Sequence, residues 1–179
     1  MRTTIGIAID IPEPWGTQLT CRRAQAGDPQ AAYVPAHLTL LGPTEVDADR
    51  LDEIDRYLDG VAARFPPFGL HLRGTGTFRP VTDVVFVAVA AGISECELLA
   101  AAVSGCRAIQ REPRFPYHPH VTVAQDVAPE RLDAVFADLA GFEARFNVAG
   151  FTLFEHGPDG KWQPRCDYRL GGTGGLPPA

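Results

Sequence analysis

A short pattern occurs twice in the chain and constrains its fold more than any other feature. In each half, a proline-containing loop leads into a strand of the form His-apolar-Thr-apolar, and an amphipathic helix follows. The two strands begin with HLTL at residues 37–40 and HVTV at residues 120–123. Side chains at i and i+2 of a strand point to the same face. Each strand would therefore bury its two apolar residues and turn its imidazole and hydroxyl to the opposite face.

The remaining segments alternate between strand and helix signals around these two units. Apolar alternation and β-branched residues predict strands at residues 3–11, 37–42, 68–78, 84–90, 120–124, 142–156 and 162–170, the last two joined by a turn at 157–160. Apolar residues at i, i+3 and i+4 predict helices that begin at Pro12 or Pro14 and that span about 51–65, 94–111 and 129–139. This order predicts an α+β fold, with residues 84–90 central in a sheet because they are apolar on both faces.

Composition and charge narrow the class of protein. A chain of 179 residues suits one domain or two small lobes, and it has no apolar run of transmembrane length. Asp10 and Pro12 cut the first apolar run short, which argues against a secretory signal and predicts a cytoplasmic protein with no membrane partner. A formal net charge of −6 argues against duplex DNA as a partner, since broad basic surfaces usually hold long nucleic acids.

The cysteines give no sign of a metal site or a disulfide framework. They stand apart at positions 21, 96, 106 and 166, with no Cys-x-x-Cys pair. Zinc sites need closely spaced ligand pairs, so this spacing predicts free thiols, most of them buried. A metal site built from His37, His118 and His120 is an alternative on ligand type alone. The favoured prediction is a protein without a metal or any other cofactor.

Two His-x-Thr strands facing each other across a cleft would suit phosphodiester chemistry. An imidazole titrates near pH 6.5, so one ring can accept a proton while the other donates one. Such acid–base help is typically worth about 10²–10⁴ in rate. Threonine hydroxyls can donate hydrogen bonds to the phosphate oxygens on which charge builds in the transition state. Taken singly, either motif is more typical of a core strand with a half-buried histidine. The matched pair favours a catalytic site.

The segments HLTLLGP, which begins at His37, and PHVTVA, which ends at Ala124, closely resemble the signature of the 2H phosphoesterase superfamily. That group includes the bacterial 2′-5′ RNA ligases and RNA cyclic phosphodiesterases. The apolar first strand, the GTGTF segment and the closing hairpin extend the resemblance over roughly residues 3–170. The resemblance implies a bilobal fold with pseudo-twofold symmetry, in which each lobe is a mainly antiparallel sheet flanked by helices and a cleft lies between the lobes. It also implies hydrolysis of 2′,3′-cyclic phosphates without metal by a catalytic set formed of His37, Thr39, His120 and Thr122.

Other residues near the motifs are candidates for contacts with substrate. Arg79 and Arg114 suit a phosphate, which a guanidinium binds through two parallel hydrogen bonds. Aromatic side chains in the loops ahead of the motifs suit stacking on a base; these are Tyr33, Phe115 and Tyr117. His118 lies at the entrance of the second strand, behind Pro119. The alternative for each of them is a surface or core-edge position without a role in binding.

These observations predict a single bilobal domain over residues 1–170 and a flexible tail over 171–179, where GGTGGLPPA has too little apolar content to pack. The predicted function is a monomeric phosphodiesterase that opens the 2′,3′-cyclic phosphate of a small nucleotide or an RNA 3′ end to a monoester, a 2′-phosphate by the resemblance. The sequence lacks GxxxxGK[ST], so ligation would be the same chemistry run backwards. Two alternatives stay open: activity on 2′-5′ linked oligonucleotides or another cyclic phosphate, and a non-catalytic module that binds nucleotides or RNA ends.

Overall fold

The computed structural model describes residues 1–171, which form eight strands, four α-helices and two short 3₁₀ helices. The strands are β1 (Arg2–Asp10), β2 (His37–Asp47), β3 (Phe68–Thr77), β4 (Val84–Ala91), β5 (His120–Gln125), β6 (Glu143–Val148), β7 (Gly150–His156) and β8 (Trp162–Arg169). The helices are α1 (Trp15–Gln25), α2 (Leu51–Arg64), α3 (Ile93–Ser104) and α4 (Pro129–Asp138), and the 3₁₀ helices span Pro29–Ala32 and Ala48–Arg50.

The strands form two four-stranded antiparallel sheets, one in each lobe. The first sheet has the order β2-β1-β7-β8 and the second has the order β5-β4-β3-β6. Each His-x-Thr motif lies on the edge strand of its sheet, and the two edge strands, β2 and β5, contact each other. The predicted α+β class, the two lobes and the antiparallel sheets are confirmed. The predicted central position of residues 84–90 also holds, since β4 has a neighbour on both sides.

The helices interlock the two lobes. Helix α1 leaves the first sheet after β1 but packs against β5 of the second, and α3 leaves the second sheet after β4 but packs against β2 of the first. Trp15 at the start of α1 stacks on Phe146 of β6 with ring centroids 6.0 Å apart. Between α2 and α3, the Tyr57 hydroxyl donates to the Ala102 carbonyl at 2.7 Å. Neither lobe therefore buries its apolar surface without elements from the other.

Both motif strands bury their apolar residues, as alternation predicts. Leu38 and Leu40 are almost entirely removed from solvent on β2, and Val121 and Val123 are fully buried on β5. They belong to one core that runs through both lobes and includes Ile5, Ile7, Leu58, Leu72, Leu99 and Leu153. Because these side chains are buried, the opposite face of each strand carries the histidine and the threonine of the motif.

Strand β2 is longer than predicted. Residues 37–42 were expected to end at the Gly42-Pro43 pair, but the strand continues to Asp47. The pairing with β1 shifts register between Ile5 and Ile7, so the pair forms a bulge. A proline is tolerated here because β2 is an edge strand and its outer side needs no amide hydrogen.

Helix α3 is shorter than predicted, and this changes the surroundings of the second motif. It ends at Ser104 instead of near Arg111, with Gly105 as its C-cap. A Cβ atom on Gly105 would lie 2.8 Å from the Tyr57 hydroxyl, so the backbone passes too close for a larger residue. Cys106 and Ile109 stay buried, but in a turn. The segment from Gly105 to Pro119 is therefore a long loop.

The predicted strand at residues 142–156 is wrong as a single element. It divides into β6 in the second sheet and β7 in the first, with Ala149 between them. Gly150 lies against the Tyr168 carbonyl with no room for a side chain. The chain thus returns to the first sheet at Gly150, where β7 begins to pair closely with β8. The closing turn at 157–160 forms as predicted, with the Gly157 amide donating to the Lys161 carbonyl at 2.8 Å.

The cysteines differ in part from the prediction. All four cysteines are free, as predicted, but only Cys96 and Cys106 are buried, whereas most were expected to be; Cys21 is exposed and Cys166 is half-buried. The predicted flexible tail lies outside the described residues except for Gly171, whose amide donates to the Ala62 carbonyl at 2.9 Å. Within residues 1–171, no helix has both the length and the apolar character needed to cross a membrane.

A buried ion pair ties α1 to the end of β5. Nε of Arg23 donates to Oδ2 of Asp28 at 2.7 Å, and their side chains are 7% and 1% exposed. The same Oδ2 accepts the Gln125 amide at 3.0 Å, while Oδ1 accepts the Gln30 amide at 2.9 Å. One carboxylate therefore joins a helix, a loop and the edge strand of the other lobe.

Replacing Asp28 by Asn should destabilise the protein strongly. The change keeps the side-chain shape but leaves the Arg23 guanidinium buried without a counter-charge, and breaking one partner of a buried pair costs about 3–5 kcal/mol. Asp138→Asn is a matched control, because it breaks the pair between Arg22, the neighbour of Arg23 on α1, and Asp138 of α4, whose carboxylate is 60% exposed. That exposed pair is worth at most about 1 kcal/mol. Urea unfolding would measure both; equal losses would contradict the structural role of Asp28.

Candidate active site

The two motifs meet in one cleft between the lobes. His37, Thr39, His120 and Thr122 all line a cavity of about 550 Å³, which we call the central cleft. The other walls of this cleft include Ala8, Arg23, Asp28, Gln125, Phe154 and Trp162. Two imidazoles and two hydroxyls from opposite sheets thus surround one space.

The two histidines are held in the same way. Nδ1 of His37 is 2.8 Å from the Pro35 carbonyl oxygen, and Nδ1 of His120 is 2.7 Å from the His118 carbonyl oxygen. A carbonyl oxygen only accepts, so Nδ1 must carry the hydrogen in both rings. Nε2 is then the nitrogen left for proton transfer. The proline-containing loop ahead of each strand supplies the carbonyl that fixes this tautomer.

Burial lowers the pKa of both imidazoles below the usual 6.5. For His37, the positive charge of Arg23 adds to the effect of burial, while the hydrogen bond to Pro35 opposes it. Burial lowers the pKa of His120 to about 4; the nearby His118 and His37 add to the effect, and the hydrogen bond to the His118 carbonyl opposes it. Titration near pH 6.5 was expected for both rings. Instead, both pKa values are lower, which favours the neutral form of each ring in the unliganded protein.

An aromatic pair supports His120. The Phe78 and Phe86 rings lie 4.6 Å apart, and the centroid of the His120 ring is 5.0 Å from the first and 5.4 Å from the second. A Cβ atom on Gly76 would lie 2.5 Å from the Phe86 ring, so glycine at this position lets the ring lie flat over β3. The GTGTF segment therefore shapes the wall behind the second histidine.

The threonine hydroxyls are open to the cleft. Within residues 1–171, neither the Thr39 nor the Thr122 hydroxyl has a hydrogen-bond partner, although both side chains are half-buried. The Thr39 backbone is fixed from the other lobe, because the Tyr117 hydroxyl donates to its carbonyl at 2.9 Å. Burial raises the pKa of Tyr117, which keeps this hydroxyl protonated. Tyr117 thus holds the backbone of the first motif by a hydrogen bond.

A second cavity adjoins the central cleft. Its volume is about 700 Å³, and we call it the side compartment. Its lining combines apolar residues of α3 with the loop after α3 and the turn before β4, and it includes Phe78, Val81, Ala101, Ile109, Arg111, Arg114, Phe115, Tyr117 and His118. The two cavities share Thr39, Leu41, Gly42 and His120. The candidate site is therefore larger than the space between the motifs.

Only some of the other predicted contact residues line one of the two cavities. Arg114, Phe115, Tyr117 and His118 line the side compartment. Arg79 lines neither cavity, and its guanidinium pairs with Asp133 at 2.8 Å.

Tyr33 also lies outside both cavities. Its ring packs against Gly160 in the closing turn, and its carbonyl accepts the Trp162 amide at 3.0 Å. Among the described residues, no group of three or more His, Cys, Asp and Glu side chains could hold a metal ion. His37, His118 and His120 therefore do not form the alternative metal site.

The sequence did not reveal four residues that line the site. Arg23 is the one cation among the described residues of the central cleft, and no motif marks it on its helix. Phe154 and Trp162 come from the other end of the chain, and only the sheet order brings them to the first motif. Arg111 was expected at the end of a helix. The proline-rich composition of residues 112–119 is the signal that could have moved it into a loop.

Comparison with known proteins identifies the family of the chain. The family model of the 2′-5′ RNA ligase superfamily matches residues 11–160. A putative phosphoesterase of Bacillus thuringiensis (strain Al Hakam) is 31% identical over 150 residues, which cover 80% of this chain and 84% of the relative.

Two solved structures have a similar fold. The crystal structure of TT0787 of Thermus thermophilus aligns with a TM-score of 0.68 at 27% identity, over 97% of this chain and 100% of that protein. Apo E. coli LigT aligns with a TM-score of 0.66 at 25% identity, over 95% and 98% of the two chains. LigT has also been crystallised with ATP, 3′-AMP and NADP⁺. The chain belongs to the 2′-5′ RNA ligase superfamily, and its resemblance to the 2H phosphoesterases is confirmed.

Proposed function

We propose that the protein is a phosphodiesterase that opens 2′,3′-cyclic phosphates of nucleotides or RNA ends to a phosphomonoester without a metal ion. The observation that carries this proposal is the convergence of two Nδ1-protonated histidines and two threonine hydroxyls on one cleft. The family and the phosphoesterase description of the relative support chemistry at a phosphodiester. The same site would run the reaction backwards to a 2′-5′ linkage when a hydroxyl replaces water.

The two histidines divide the proton transfers. One neutral imidazole takes a proton from water through Nε2 as the water oxygen bonds to phosphorus. The other, as imidazolium, protonates the ribose oxygen as its bond to phosphorus breaks. When the 3′ oxygen leaves, the product is a 2′-phosphate. The phosphate anion of the substrate favours the imidazolium that this step needs, because an opposite charge nearby raises the pKa of a histidine.

The polar groups of the cleft suit the charge that develops on phosphorus. The Thr39 and Thr122 hydroxyls can donate to the two non-bridging oxygens, one from each lobe. Arg23 faces the same cleft, and Nε alone of its nitrogens is used by Asp28. The terminal nitrogens of Arg23 would then strengthen the positive potential around the phosphate. These groups stabilise the transition state without a metal ion.

A nucleotide is the substrate class that fits the remaining walls. Phe154 and Trp162 line the central cleft, and the half-buried Trp162 offers aromatic surface for a base. Three of the ligands crystallised with LigT, namely ATP, 3′-AMP and NADP⁺, contain nucleotides, which supports the same class here. The net charge of −6, together with one cation among the described residues of the cleft, favours a small nucleotide or a chain end. Monomeric state and cytoplasmic location stay predictions.

Replacing either motif histidine should abolish most turnover of 2′,3′-cyclic AMP. His37→Ala and His120→Ala should each lower kcat by at least about 10²-fold, since each removes one proton-transfer group. His71→Ala is the control, because His71 pairs with Glu143 at 2.8 Å and lines neither cavity. The assay should run in EDTA and with added Mg²⁺. Wild-type protein that leaves the substrate intact in both conditions, yet binds it, would favour the non-catalytic module.

Turnover should be fastest at acidic pH. The reaction needs one histidine protonated and the other neutral, and the free-protein pKa of His120 is about 4 while that of His37 lies below 6.5. The kcat/KM profile for 2′,3′-cyclic AMP should therefore be bell-shaped with its maximum below pH 6.5, and the kcat profile should be displaced to higher pH by the bound anion. A kcat/KM maximum above pH 7 would contradict the assigned protonation states.

A further inference from the structure

A third histidine lies beside the second motif, and the proposed mechanism gives it no part. The centroids of the His118 and His120 rings are 5.7 Å apart. Both rings pack on the same pair of phenylalanines. His118 lies 5.3 Å from Phe78 and 5.2 Å from Phe86, and the corresponding distances for His120 are 5.0 and 5.4 Å. One aromatic surface therefore holds two imidazoles side by side.

The His118 side chain is open to water, whereas His120 is half-buried. His118 lines the side compartment but not the central cleft, and His120 lines both cavities. Within the described part of the chain, the ring nitrogens of His118 form no hydrogen bond or ion pair. A substrate bound in the central cleft would therefore leave the His118 ring in contact with water.

The backbone of His118 has a task that is separate from its side chain. Its carbonyl oxygen accepts the hydrogen bond from Nδ1 of His120 at 2.7 Å. Pro119 restricts the backbone of His118 to extended conformations, which keeps this carbonyl in place. The ring can therefore be replaced without loss of the group that fixes the tautomer of His120.

The proposed reaction leaves the two motif histidines in the wrong protonation states for the next turnover. The ring that accepts a proton from water ends as imidazolium, and the ring that protonates the ribose oxygen ends neutral. One proton must leave the first ring and one must enter the second before the pair can act again. His120 thus has to exchange one proton with its surroundings in each cycle, whichever of the two roles it has.

The neighbouring imidazole is suited to this exchange. An imidazole takes up and releases protons in the physiological pH range, and a water molecule can bridge two polar groups that are too far apart for a direct hydrogen bond. The charge of His118 lowers the pKa of His120. A proton on one ring therefore disfavours a proton on the other, so the pair passes a proton on more readily than it holds two.

The other ionisable groups of the side compartment are less suited. They are Glu97 on α3 and Arg111, Arg114 and Tyr117 in the loop that follows. Arginine does not lose its proton in proteins, and the Tyr117 hydroxyl is bonded to the Thr39 carbonyl. Among the described residues, Glu97 forms no hydrogen bond or ion pair with a histidine.

We propose that His118 carries protons between the water of the side compartment and His120, and so resets the pair of motif histidines after each turnover. This inference rests on the function proposed above. If His120 ends a turnover as imidazolium, it gives its proton through a bridging water to His118, which releases it to solvent. If His120 ends neutral, the proton moves in the opposite direction. Only N–H and O–H bonds change, and His118 acts through His120 without contacting the substrate.

The test compares the first turnover of 2′,3′-cyclic AMP with repeated turnover in His118→Phe, each protein at its own pH optimum. This change keeps an aromatic ring on Phe78 and Phe86 but removes the group that carries the proton. At low buffer concentration, kcat should fall about 10-fold, less than the 10²–10⁴ of a direct transfer, because water still reaches His120. The single-turnover rate, measured with protein in excess, should change less than about twofold, because the reset follows the chemical step. Added imidazole, at constant pH and ionic strength, should restore kcat.

Two further variants serve as controls. Glu97→Gln removes an ionisable group from the same compartment and should keep the kcat of the wild type at low buffer concentration. His118→Gln repeats the test with a polar side chain and should behave as His118→Phe does.

The outcomes separate this inference from the proposed function. An unchanged kcat in both His118 variants would overturn the relay. Equal losses in the first and in repeated turnover would overturn it as well, because they would indicate a structural role of the ring. A loss of kcat in Glu97→Gln alone would overturn it in favour of the carboxylate. Absence of turnover in the wild type would instead contradict the proposed function.

Discussion

The alternation of side chains along two edge strands is the constraint on which the site depends. Leu38 and Leu40 on β2, and Val121 and Val123 on β5, are buried in one core. Because alternate side chains of a strand face opposite ways, this burial turns a histidine and a threonine of each strand into the central cleft. The edge position of both strands is equally necessary, since it brings the two motifs into contact across the lobes. Burial of the apolar side chains in the core thus determines the direction in which the histidine and threonine side chains point.

Helix packing and hydrogen bonds join the two lobes. Helices α1 and α3 each pack on the sheet of the other lobe, and the Asp28 carboxylate joins α1 to β5. The Tyr117 hydroxyl adds a second bond across the cleft, to the Thr39 carbonyl. These contacts join the two lobes beside the cleft. A preorganised arrangement of donors is what stabilisation of a developing phosphate charge requires.

Local sequence patterns predicted the structural features that depend on residues close together in the chain. They missed the features that depend on contacts between residues far apart in the sequence. The two motif strands, their buried faces and the amphipathic helix α2 follow from periodicity within a few residues. The division of residues 142–156 between two sheets depends on the pairing of β6 with β3 and of β7 with β1, which are distant in the sequence and which no local pattern records. Arg23 and Trp162 reach the central cleft through tertiary packing, and Arg79 is held away from it by Asp133. The depressed pKa of each histidine is likewise a property of the assembled cleft.

The central claim is that His37 and His120 act on the same phosphate as one unit. Comparison of kcat for 2′,3′-cyclic AMP in His37→Ala, His120→Ala and the double variant tests it most directly. Residues that act as a unit have strongly non-additive effects, because removal of either already disables the shared step. The double variant should therefore be no slower than the slower single variant. Losses that multiply in the double variant would show two independent contributions and would contradict a shared proton-transfer site.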